Sequence, residues 1–437
     1  MKAIKIALFS VFTLLLPNCL YAKECVTISS AEELTKLSNV KAGTEIIWRN
    51  GCYNDKILTI KASGTEKHPI IFRAETDGAV RFTGKSSLHI RGSHIIIRGF
   101  VWENPALEKG VVVAFDRTSS HSILEECLIT GEQSEMRPKN NIKWVSLWGY
   151  KNCVRHCSFF DKRDLGQILI VRLEENDKTP QHIVQNCHFT RANSLRNEQG
   201  NRINGQCCIR FGTSNVAHQK AECIVENCLF EYCNGEGEII SSKSCGNIFR
   251  NNLFYESKGS LTLRHGDNSQ VLNNYFIGNK QPHTAGIRII GEGHIVKGNY
   301  LCQLAGGNSR RPHCAIHLLQ GQENAPAGGY HQVKNVTISE NTIINCRYGI
   351  TANRQREGCD LPVLNSIIER NTIVTEDNNC SVASEDAPHQ ITWRNNTIFG
   401  GRQVGLSLAE VTQKPKFPET ESTISRIRKD AGARFMK

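Results

Sequence analysis

The sequence is poor in aromatic residues and in long apolar segments. Phe, Trp and Tyr make up 7% of its 437 residues, and apolar residues make up 39%. This apolar content is too low for a polytopic membrane protein, and only one segment, at the N-terminus, approaches the length of a membrane span. The apolar residues are too numerous and too evenly spread for a disordered chain. The length allows two or three ordinary domains or one long repetitive domain.

Several common functional patterns are also missing. No two Cys-x-x-Cys pairs occur, which argues against zinc fingers, and there is no Gly-x-Ser-x-Gly turn that could carry a nucleophilic serine. Gly84-Lys85-Ser86 is similar to the end of a phosphate-binding loop, but Ala79 stands in the place of the leading glycine. The formal charge is +11, yet no aromatic-rich nucleic-acid-binding motif accompanies it. We therefore expect no nucleic-acid partner.

Residues 1–22 have the features of a secretory signal. Lys2 and Lys5 supply the positive charge, the segment from Ile6 to Leu16 is apolar, and Ala22 is a small residue suited to cleavage. The apolar run is short for a transmembrane anchor, so we expect no membrane span. Removal of two lysines would leave a mature chain of +9 (11 − 2). The sequence thus predicts export, to the periplasm or the extracellular space, where disulfides are permitted.

A short sequence motif recurs along the chain and is the strongest indication of its fold. It consists of a cysteine or an asparagine followed by two residues typical of strands. Its key positions are Cys127, Cys157, Cys187, Cys228, Asn252, Asn274, Asn299, Asn341, Asn371 and Asn396. Most intervals between them are of similar length, and the two longest, which end at Cys228 and at Asn341, can be coils that carry a loop insertion. Short strands at such a period predict an all-β chain folded as a parallel β-helix.

The recurring cysteines and asparagines should stack in the coils of this β-helix. Asparagines at a stacked turn can hydrogen-bond their copies in neighbouring coils, and cysteine is a small residue suited to buried positions. We interpret Cys127, Cys157, Cys187 and Cys228 as a structural column of thiols, although stacked neighbours lie near disulfide distance. A bridge between Cys25 and Cys52, which flank the first mature segment, is a further possibility.

No linker divides the chain. We expect residues 23–60 to form an N-terminal cap and residues 23–400 to form one β-helix that includes this cap. Residues 401–437 lose the repeat and become polar, which is typical of a terminal covering segment or of a partly disordered tail.

Basic residues recur at outward positions of one strand column. In Ile209-Arg210-Phe211, Leu263-Arg264 and Ile287-Arg288-Ile289, alternation directs the apolar residues inward and each arginine outward. The separation of Arg264 from Arg288 matches the length of one coil, and Arg172 can extend the row. A single arginine here would be ordinary surface charge. Several in one column indicate a groove that binds a polyanion.

An acidic pair interrupts this basic region. Glu236 and Glu238 are separated by a single residue and therefore share one face of a strand. Adjacent carboxylates repel unless a cation lies between them, and hard oxygen ligands suit calcium. Asn204, roughly one enlarged coil earlier, can add an amide oxygen. The remaining positions of a calcium ion would be open to water and to a carboxylate of the substrate.

The most specific segments together resemble polysaccharide lyase family 6, which contains alginate lyases and chondroitinase B. These segments are 204–212, 236–244 and 261–266, and the resemblance begins at 64–75. It implies a right-handed parallel β-helix that holds Ca²⁺ through Asn204, Glu236 and Glu238. It also implies the roles of the remaining site residues, with Lys243 as general base, Arg264 as general acid, and His265 and Arg288, together with Arg210 from the basic column, as substrate contacts.

The chemistry that this resemblance implies is β-elimination on a uronic-acid polymer. The base removes the C5 proton next to the carboxylate, and bound calcium stabilises the charge that develops there. Our leading hypothesis is an alginate lyase, and the alternative within the same fold is a chondroitinase B-type lyase acting on dermatan sulfate. A third hypothesis is a β-helix that binds polysaccharide without cleaving it. Block preference, endo or exo action and oligomeric state are open.

Overall fold

The structure is a computed structural model and describes residues 24–37, 40–307, 314–354, 357–376, 378–385 and 390–437. The predicted signal segment, residues 1–22, lies outside the described residues. In the described part of the chain, no helix combines the length and the apolar character needed to cross a membrane.

Three long parallel sheets make up the molecule, and strands are numbered here in chain order. The first sheet pairs β1 (Cys25–Ile28), β2 (Glu45–Trp48), β5 (Ile70–Ala74), β8 (Ile95–Arg98), β11 (Ile123–Glu125), β14 (Cys153–Arg155), β18 (Ile183–Gln185), β21 (Ile224–Glu226), β24 (Ile248–Arg250), β27 (Gln270–Leu272), β30 (Ile295–Lys297), β33 (Thr337–Ser339), β36 (Ser366–Glu369) and β39 (Ile391–Arg394). The second sheet pairs β4 (Ile57–Ser63), β7 (Ser87–Ser93), β10 (Lys109–Phe115), β13 (Arg137–Leu147), β17 (Leu169–Val171), β20 (Ile209–Phe211), β23 (Glu238–Lys243), β26 (Gly259–His265), β29 (Thr284–Ile289), β32 (Ile316–Leu319), β35 (Tyr348–Arg354), β38 (Cys380–Ser384) and β41 (Arg402–Val404), with β16 (Asp164–Leu165) beside β13. The third sheet pairs β3 (Gly51–Asn54), β6 (Val80–Thr83), β9 (Phe100–Glu103), β12 (Leu128–Thr130), β15 (Ser158–Phe160), β19 (His188–Thr190), β22 (Leu229–Glu231), β25 (Leu253–Tyr255), β28 (Tyr275–Ile277), β31 (Tyr300–Cys302), β34 (Thr342–Ile344), β37 (Thr372–Val374) and β40 (Thr397–Phe399).

Each coil contributes one strand to the first, the third and the second sheet in turn. The chain therefore returns to the same sheet after every coil and pairs in parallel with the previous one, as the order of strands shows. Apolar side chains alternate inward and fill the space between the sheets; Ile209 and Phe211, for example, are both 0% exposed. The predicted all-β fold, a parallel β-helix, is confirmed.

A ladder of asparagine side chains runs through the second half of the β-helix. Each carboxamide donates to the carboxamide oxygen of the next coil, over 2.9–3.0 Å between Nδ2 and Oδ1. The ladder consists of Asn252, Asn274, Asn299, Asn341, Asn371 and Asn396. These side chains satisfy one another in the interior, which confirms the hydrogen bonding predicted for the repeated asparagines.

The cysteine column continues this ladder towards the N-terminus. Cys127, Cys157, Cys187 and Cys228 are each at most 1% exposed, and all four are free thiols. The amide N of Cys228 donates to Asn252 Oδ1 over 3.0 Å, where the column meets the ladder. The interpretation of these four residues as a structural column of thiols is confirmed.

Cys25 and Cys52 do not form the disulfide that their positions suggested. Both are free and exposed. Cys25 lies in β1 of the first sheet, whereas Cys52 lies in β3 of the third sheet. Their strands therefore belong to different sides of the β-helix, a separation that the sequence distance between the two residues does not reveal.

Short helices lie near the two ends of the described chain. Helix α1 (Ala31–Lys36) begins with a capping box between Ser30 and Glu33, and its Leu34 packs into the core. Within the segment predicted as a cap, residues 45–60 form β2, β3 and most of β4. Helix α2 (Glu421–Asp430) packs against the third sheet.

The C-terminal residues continue along the third sheet towards the N-terminal coils. Arg428 lies 3.3 Å from Glu231 in β22, and the amide N of Arg434 donates to Glu126 over 2.6 Å. Residues 421–437 therefore lie against coils that are distant in sequence.

Candidate functional site

The second sheet carries most of the residues predicted to act on substrate or metal. Arg210 lies in β20, Glu238 and Lys243 lie at the two ends of β23, Arg264 and His265 close β26, and Arg288 lies in β29. Glu236 precedes β23, and Asn204 lies on the loop before β20. The structure thus brings all eight residues onto four consecutive strands and their adjoining loops.

The arginines occupy two rows of the second sheet and not the single column expected from the sequence. Arg210 pairs with Ser241, which pairs with Thr262, which pairs with Arg288. Arg264 comes after Thr262 in the chain and belongs to a neighbouring row. Leu263 already pairs with Ile289, which follows Arg288 in the chain. The coil is therefore longer than the separation of Arg264 from Arg288, and the two arginines are not at equivalent positions.

Glu238 links two of the arginines. Its Oε1 accepts from Arg288 Nη2 over 2.9 Å and lies 4.0 Å from Arg264 Nε. The side chains of Glu238, Arg264 and Arg288 are 19%, 13% and 23% exposed. The pairing is thus sheltered from solvent, and it brings two guanidinium groups to one carboxylate oxygen.

Lys243 is a half-buried amine near these arginines. Its Nζ lies 3.4 Å from Ser214 Oγ, and no carboxylate of the described residues lies within ion-pair distance of it. Burial lowers the pKa of Lys243, and the charges of Arg264 and Arg210 lower it further against the opposing effect of Glu238. The arrangement therefore favours a neutral amine at a lower pH than for an exposed lysine.

Glu236 is the second carboxylate of the acidic pair. Burial raises its pKa, and the negative charge of Glu238 raises it further, although the amide N of Gly205 donates to Glu236 Oε2 over 2.8 Å. Gly205 directly follows the exposed Asn204, and its φ of +96° makes a turn there. The hydrogen bond from Gly205 therefore joins Glu236 to the turn that carries Asn204.

The acidic pair suits a hard cation. In the described part of the chain, no cluster of three or more His, Cys, Asp or Glu side chains could hold a metal ion. The predicted site therefore has only two carboxylates, those of Glu236 and Glu238, with Asn204 as its third expected ligand. Oxygen donors are those that calcium prefers, and a cation would offset the burial and the charge of Glu238, which together raise the pKa of Glu236. These residues fit calcium with several positions left open.

The loop insertion expected before Asn341 holds Arg264 and His265, a contact that the sequence did not predict. Arg264 donates to the carbonyl oxygens of Gly328 and Gly329 over 2.8 Å each, and its guanidinium lies 4.6 Å from the ring centre of Tyr330. His265 Nε2 lies 2.9 Å from the same Gly329 oxygen. Burial lowers the pKa of His265 to about 3, with Arg264 adding to the effect, so the imidazole is neutral. The long repeat interval before Asn341 was the signal for this insertion.

The other long repeat interval, which ends at Cys228, also leads to the site. It carries the loop before β20, and this loop lines a cavity of about 190 Å³ beside Glu236. Arg196, Arg202, Lys258 and His283 line this cavity with Glu236. None of these four residues was predicted, because they come from loops without a repeating pattern.

Comparison with known proteins shows the family to which the chain belongs. The family model described as Chondroitinase B matches residues 28–414 of the chain, nearly the whole β-helix. The chain belongs to polysaccharide lyase family 6. Among curated proteins, no sequence match is found.

Solved structures of polysaccharide lyase family 6 superpose on the chain over most of its length. One is a mannuronic acid specific family 6 lyase from human gut microbiota, with 26% identity, a TM-score of 0.80 and coverage of 94% of this chain and 96% of that one. Another is the family 6 alginate lyase AlyGC, with 31% identity and a TM-score of 0.80. The match covers 94% of this chain but 57% of AlyGC. A family 6 lyase from Pseudopedobacter saltans shares the fold, with 24% identity, a TM-score of 0.72 and coverage of 94% and 99%.

Proposed function

We propose that the protein is an exported alginate lyase that cleaves mannuronate- or guluronate-containing chains by calcium-assisted β-elimination. Two similar structures, at 26% and 31% identity, are a mannuronic acid specific lyase and an alginate lyase. The basic groove of the second sheet suits an acidic polymer. The observation that carries the proposal is Lys243, a half-buried amine with a lowered pKa beside the pair formed by Arg264 and Glu238.

Lys243 is the base in this proposal. A neutral Nζ can accept the C5 proton of a uronate residue, and general bases are most effective when their pKa lies near the working pH. Burial and the nearby arginines move the pKa of Lys243 in that direction. The proton is acidic enough for removal only if the charge that develops on the substrate carboxylate is stabilised.

Arg264 acts at the leaving group. The carbonyl oxygens of Gly328 and Gly329 and the carboxylate of Glu238 fix its guanidinium, so that it needs little reorganisation. Arginine has a very high pKa and loses its proton reluctantly. Arg264 therefore either protonates the glycosidic oxygen or stabilises its charge while water supplies the proton.

The remaining residues hold the acidic substrate and the metal. Arg210 and Arg288 occupy one row of the second sheet and would contact the carboxylates of a chain lying on it. His265 pairs with Lys243 in the sheet and is buried, so its contact with substrate would need the loop at Gly329 to move. Glu236, Glu238 and Asn204 would hold calcium. When bound, calcium supplies positive charge that stabilises the carboxylate of the reacting uronate.

A panel of acidic polymers tests the proposal. The purified protein is assayed on polymannuronate, polyguluronate, mixed alginate and dermatan sulfate, and the unsaturated uronate product is followed by near-ultraviolet absorbance. We expect absorbance to rise on at least one alginate and to be lost in Lys243→Ala and Arg264→Ala. No signal on any alginate would overturn the choice of substrate, and activity that survives both changes would overturn the catalytic assignment.

A chondroitinase B-type activity is the second candidate, because the matching family model carries that description. It predicts cleavage of dermatan sulfate and none of alginate in the same panel. A β-helix that binds but does not cleave is distinguished by retention of the polymer without formation of unsaturated product.

A further inference from the structure

A second opening lies on the same sheet as the candidate catalytic residues, nearer the N-terminus. It is a cleft of about 960 Å³, called here the N-terminal cleft, and its charged and aromatic lining consists of Lys61, Arg91, Asp116, Arg117 and Trp148. Lys61 lies in β4 and Arg91 in β7, whereas Asp116 and Arg117 follow β10 and Trp148 follows β13. The cleft is therefore separate from the residues of β20 to β29 described above.

The N-terminal cleft and Lys243 lie along one row of the second sheet. Inward residues pair from strand to strand in the order Ile60, Ile90, Phe115, Leu147, Val171, Phe211 and Ser242. The residues that follow these positions are Lys61, Arg91, Asp116, Trp148, Arg172, Gly212 and Lys243. At a strand spacing of about 4.8 Å, Trp148 is three strands, or about 14 Å, from Lys243, and Arg91 is five strands, or about 24 Å.

The cleft offers cationic hydrogen-bond donors to an anion. Three of its lining side chains are cationic and one, Asp116, is anionic. Arg91 pairs with Asp116, and Arg117 pairs with Glu174 and Asp177 outside the lining, but a guanidinium has five donors and keeps others available. Lys61 is exposed, and no carboxylate among the described residues lies within ion-pair distance of it.

Positive charge also bridges the distance to the catalytic residues. Arg172 lies between the cleft and Lys243, and its Nε donates to Ser146 over 3.3 Å. Burial lowers the pKa of Lys143, on β13, and the charges of Arg172 and Arg210 lower it further, so the three cations influence one another. A polyanion on this sheet would therefore meet Lys143, Arg172 and Arg210 between the cleft and Lys243.

Trp148 adds to the cleft an aromatic ring, one face of which lies against Arg117. Its ring is half-buried, and the Arg117 guanidinium lies 3.9 Å from its centre. Arg117 also lies 3.3 Å from Asp177, which fixes its position over the ring. An amphipathic aromatic residue beside fixed cations is suited to the face of a sugar that carries a carboxylate.

We propose that the N-terminal cleft binds a distant segment of the same acidic polysaccharide chain whose reacting uronate lies at Lys243. This inference rests on the proposed lyase function and adds a remote binding site to it. A short oligosaccharide held at Lys243 does not extend over five strands, whereas a polymer does. The cleft therefore favours long chains over short ones.

Kinetics on substrates of two lengths tests the proposal. The kcat/KM on polymannuronate is divided by that on mannuronate trisaccharide for the wild type, Lys61→Glu and Trp148→Ala. We expect this ratio to fall about tenfold in each variant, the loss of about 1.4 kcal/mol of binding. Lys429→Glu is the matched control, since Lys429 is an exposed lysine of α2 on the third sheet, and its ratio should equal that of the wild type. A ratio unchanged in both cleft variants overturns the proposal.

Tryptophan fluorescence separates failure of the cleft from failure of the lyase function. Trp48, Trp102 and Trp144 are at most 1% exposed, so acrylamide mainly quenches Trp148 and Trp393. The Lys243→Ala variant is used so that the polymer is bound without being cleaved. In this variant, polymannuronate should protect tryptophan fluorescence from quenching by acrylamide. Adding Trp148→Ala to the same variant should abolish the protection. Protection without any cleavage by the wild type supports the cleft and refutes the lyase. Cleavage by the wild type without protection refutes the cleft alone.

Discussion

Replacement of Glu236 by glutamine should separate the metal-binding role of this residue from its effect on folding. The carboxylate is half-buried, and burial together with the charge of Glu238 raises its pKa above the unfolded value. A carboxyl group whose pKa is raised by folding lowers the stability of the folded state when it ionises. This loss of stability begins as the pH rises above the pKa of the unfolded state and is complete above the pKa of the folded state. Glutamine keeps the shape and an oxygen that can accept from Gly205. With a chelator at pH 8, Glu236→Gln should therefore be at least as stable as the wild type.

Calcium should reverse this order. A ligand that binds only the folded state at one hundred times its Kd adds about 2.7 kcal/mol of stability. With an unfolding entropy of about 2.1 cal/mol/K per residue, or about 0.9 kcal/mol/K for the chain, this raises the melting temperature by about 3 °C. If loss of one of two carboxylate ligands weakens binding a hundredfold, the same calcium concentration adds about 0.4 kcal/mol, less than about 0.5 °C.

Thermal melting with and without calcium measures both effects. Glu419→Gln is the matched control, because Glu419 is exposed and lies in the C-terminal segment, away from β23. The control should gain as much from calcium as the wild type does. If the melting temperature of the wild type is the same in calcium and in chelator, the assignment of Glu236, Glu238 and Asn204 as calcium ligands is wrong.

Three further predictions concern the base, its pH dependence and the asparagine ladder. Lys243→Ala should lower kcat by about 10²- to 10⁴-fold, the usual contribution of a general base, in steady-state assays on the best polymer. Arg210→Gln removes a cation that lowers the pKa of Lys243, so the alkaline rise of kcat, which follows deprotonation of the amine, should move to higher pH in a pH–rate profile. Asn299→Ala should cost about 2–4 kcal/mol in urea unfolding, because Asn274 loses the acceptor of its amide and carboxamide N–H groups. Asn299→Asp should cost more, because its carboxylate would face the oxygens of Val271 and Asn341, each now 2.9 Å from Nδ2.

Controls make these outcomes decisive. Asn201→Ala, at an exposed asparagine, should leave the urea midpoint unchanged. An aspartate at 299 that is better tolerated than alanine would contradict the hydrogen-bond directions of the ladder. An alkaline limb that does not move in Arg210→Gln would mean that another group titrates.

The repeat made most of the fold predictable from sequence. A buried carboxamide needs partners, and its copies one coil away provide them, so the asparagines had to recur wherever the ladder runs. The cysteines occupy the same place in the first half of the chain. The apolar residues beside Arg210 also followed the expected alternation, because Ile209 and Phe211 must fill the interior.

Local irregularities explain what the sequence could not predict. Strand β23 shifts register between Glu238 and Ile240 and again before Lys243, and β26 shifts against β29. Each shift changes which residues are neighbours across strands without altering the pattern of apolar residues. This is why Arg264 and Arg288 were placed in one row. The missing disulfide between Cys25 and Cys52 has a similar origin. The number of residues between the two cysteines does not show that their strands belong to different sheets.

The two insertions show a limit of a different kind. Both long repeat intervals lie beside the candidate site, one with Asn204 and the other with Gly329. The sequence indicated where extra residues leave the coil. It could not indicate that Gly329 returns to accept from Arg264, because that contact depends on the path of a loop without repeats.

Product formation from a defined polymer is the most direct test of alginate lyase activity and of the role of Lys243. The wild-type protein and Lys243→Ala are incubated with polymannuronate and with mixed alginate in calcium, and near-ultraviolet absorbance is recorded against time. We expect a steady rise with the wild type and a rate at least about a hundredfold lower with Lys243→Ala. Equal rates for the two proteins, or no rise with the wild type on either polymer, would contradict it.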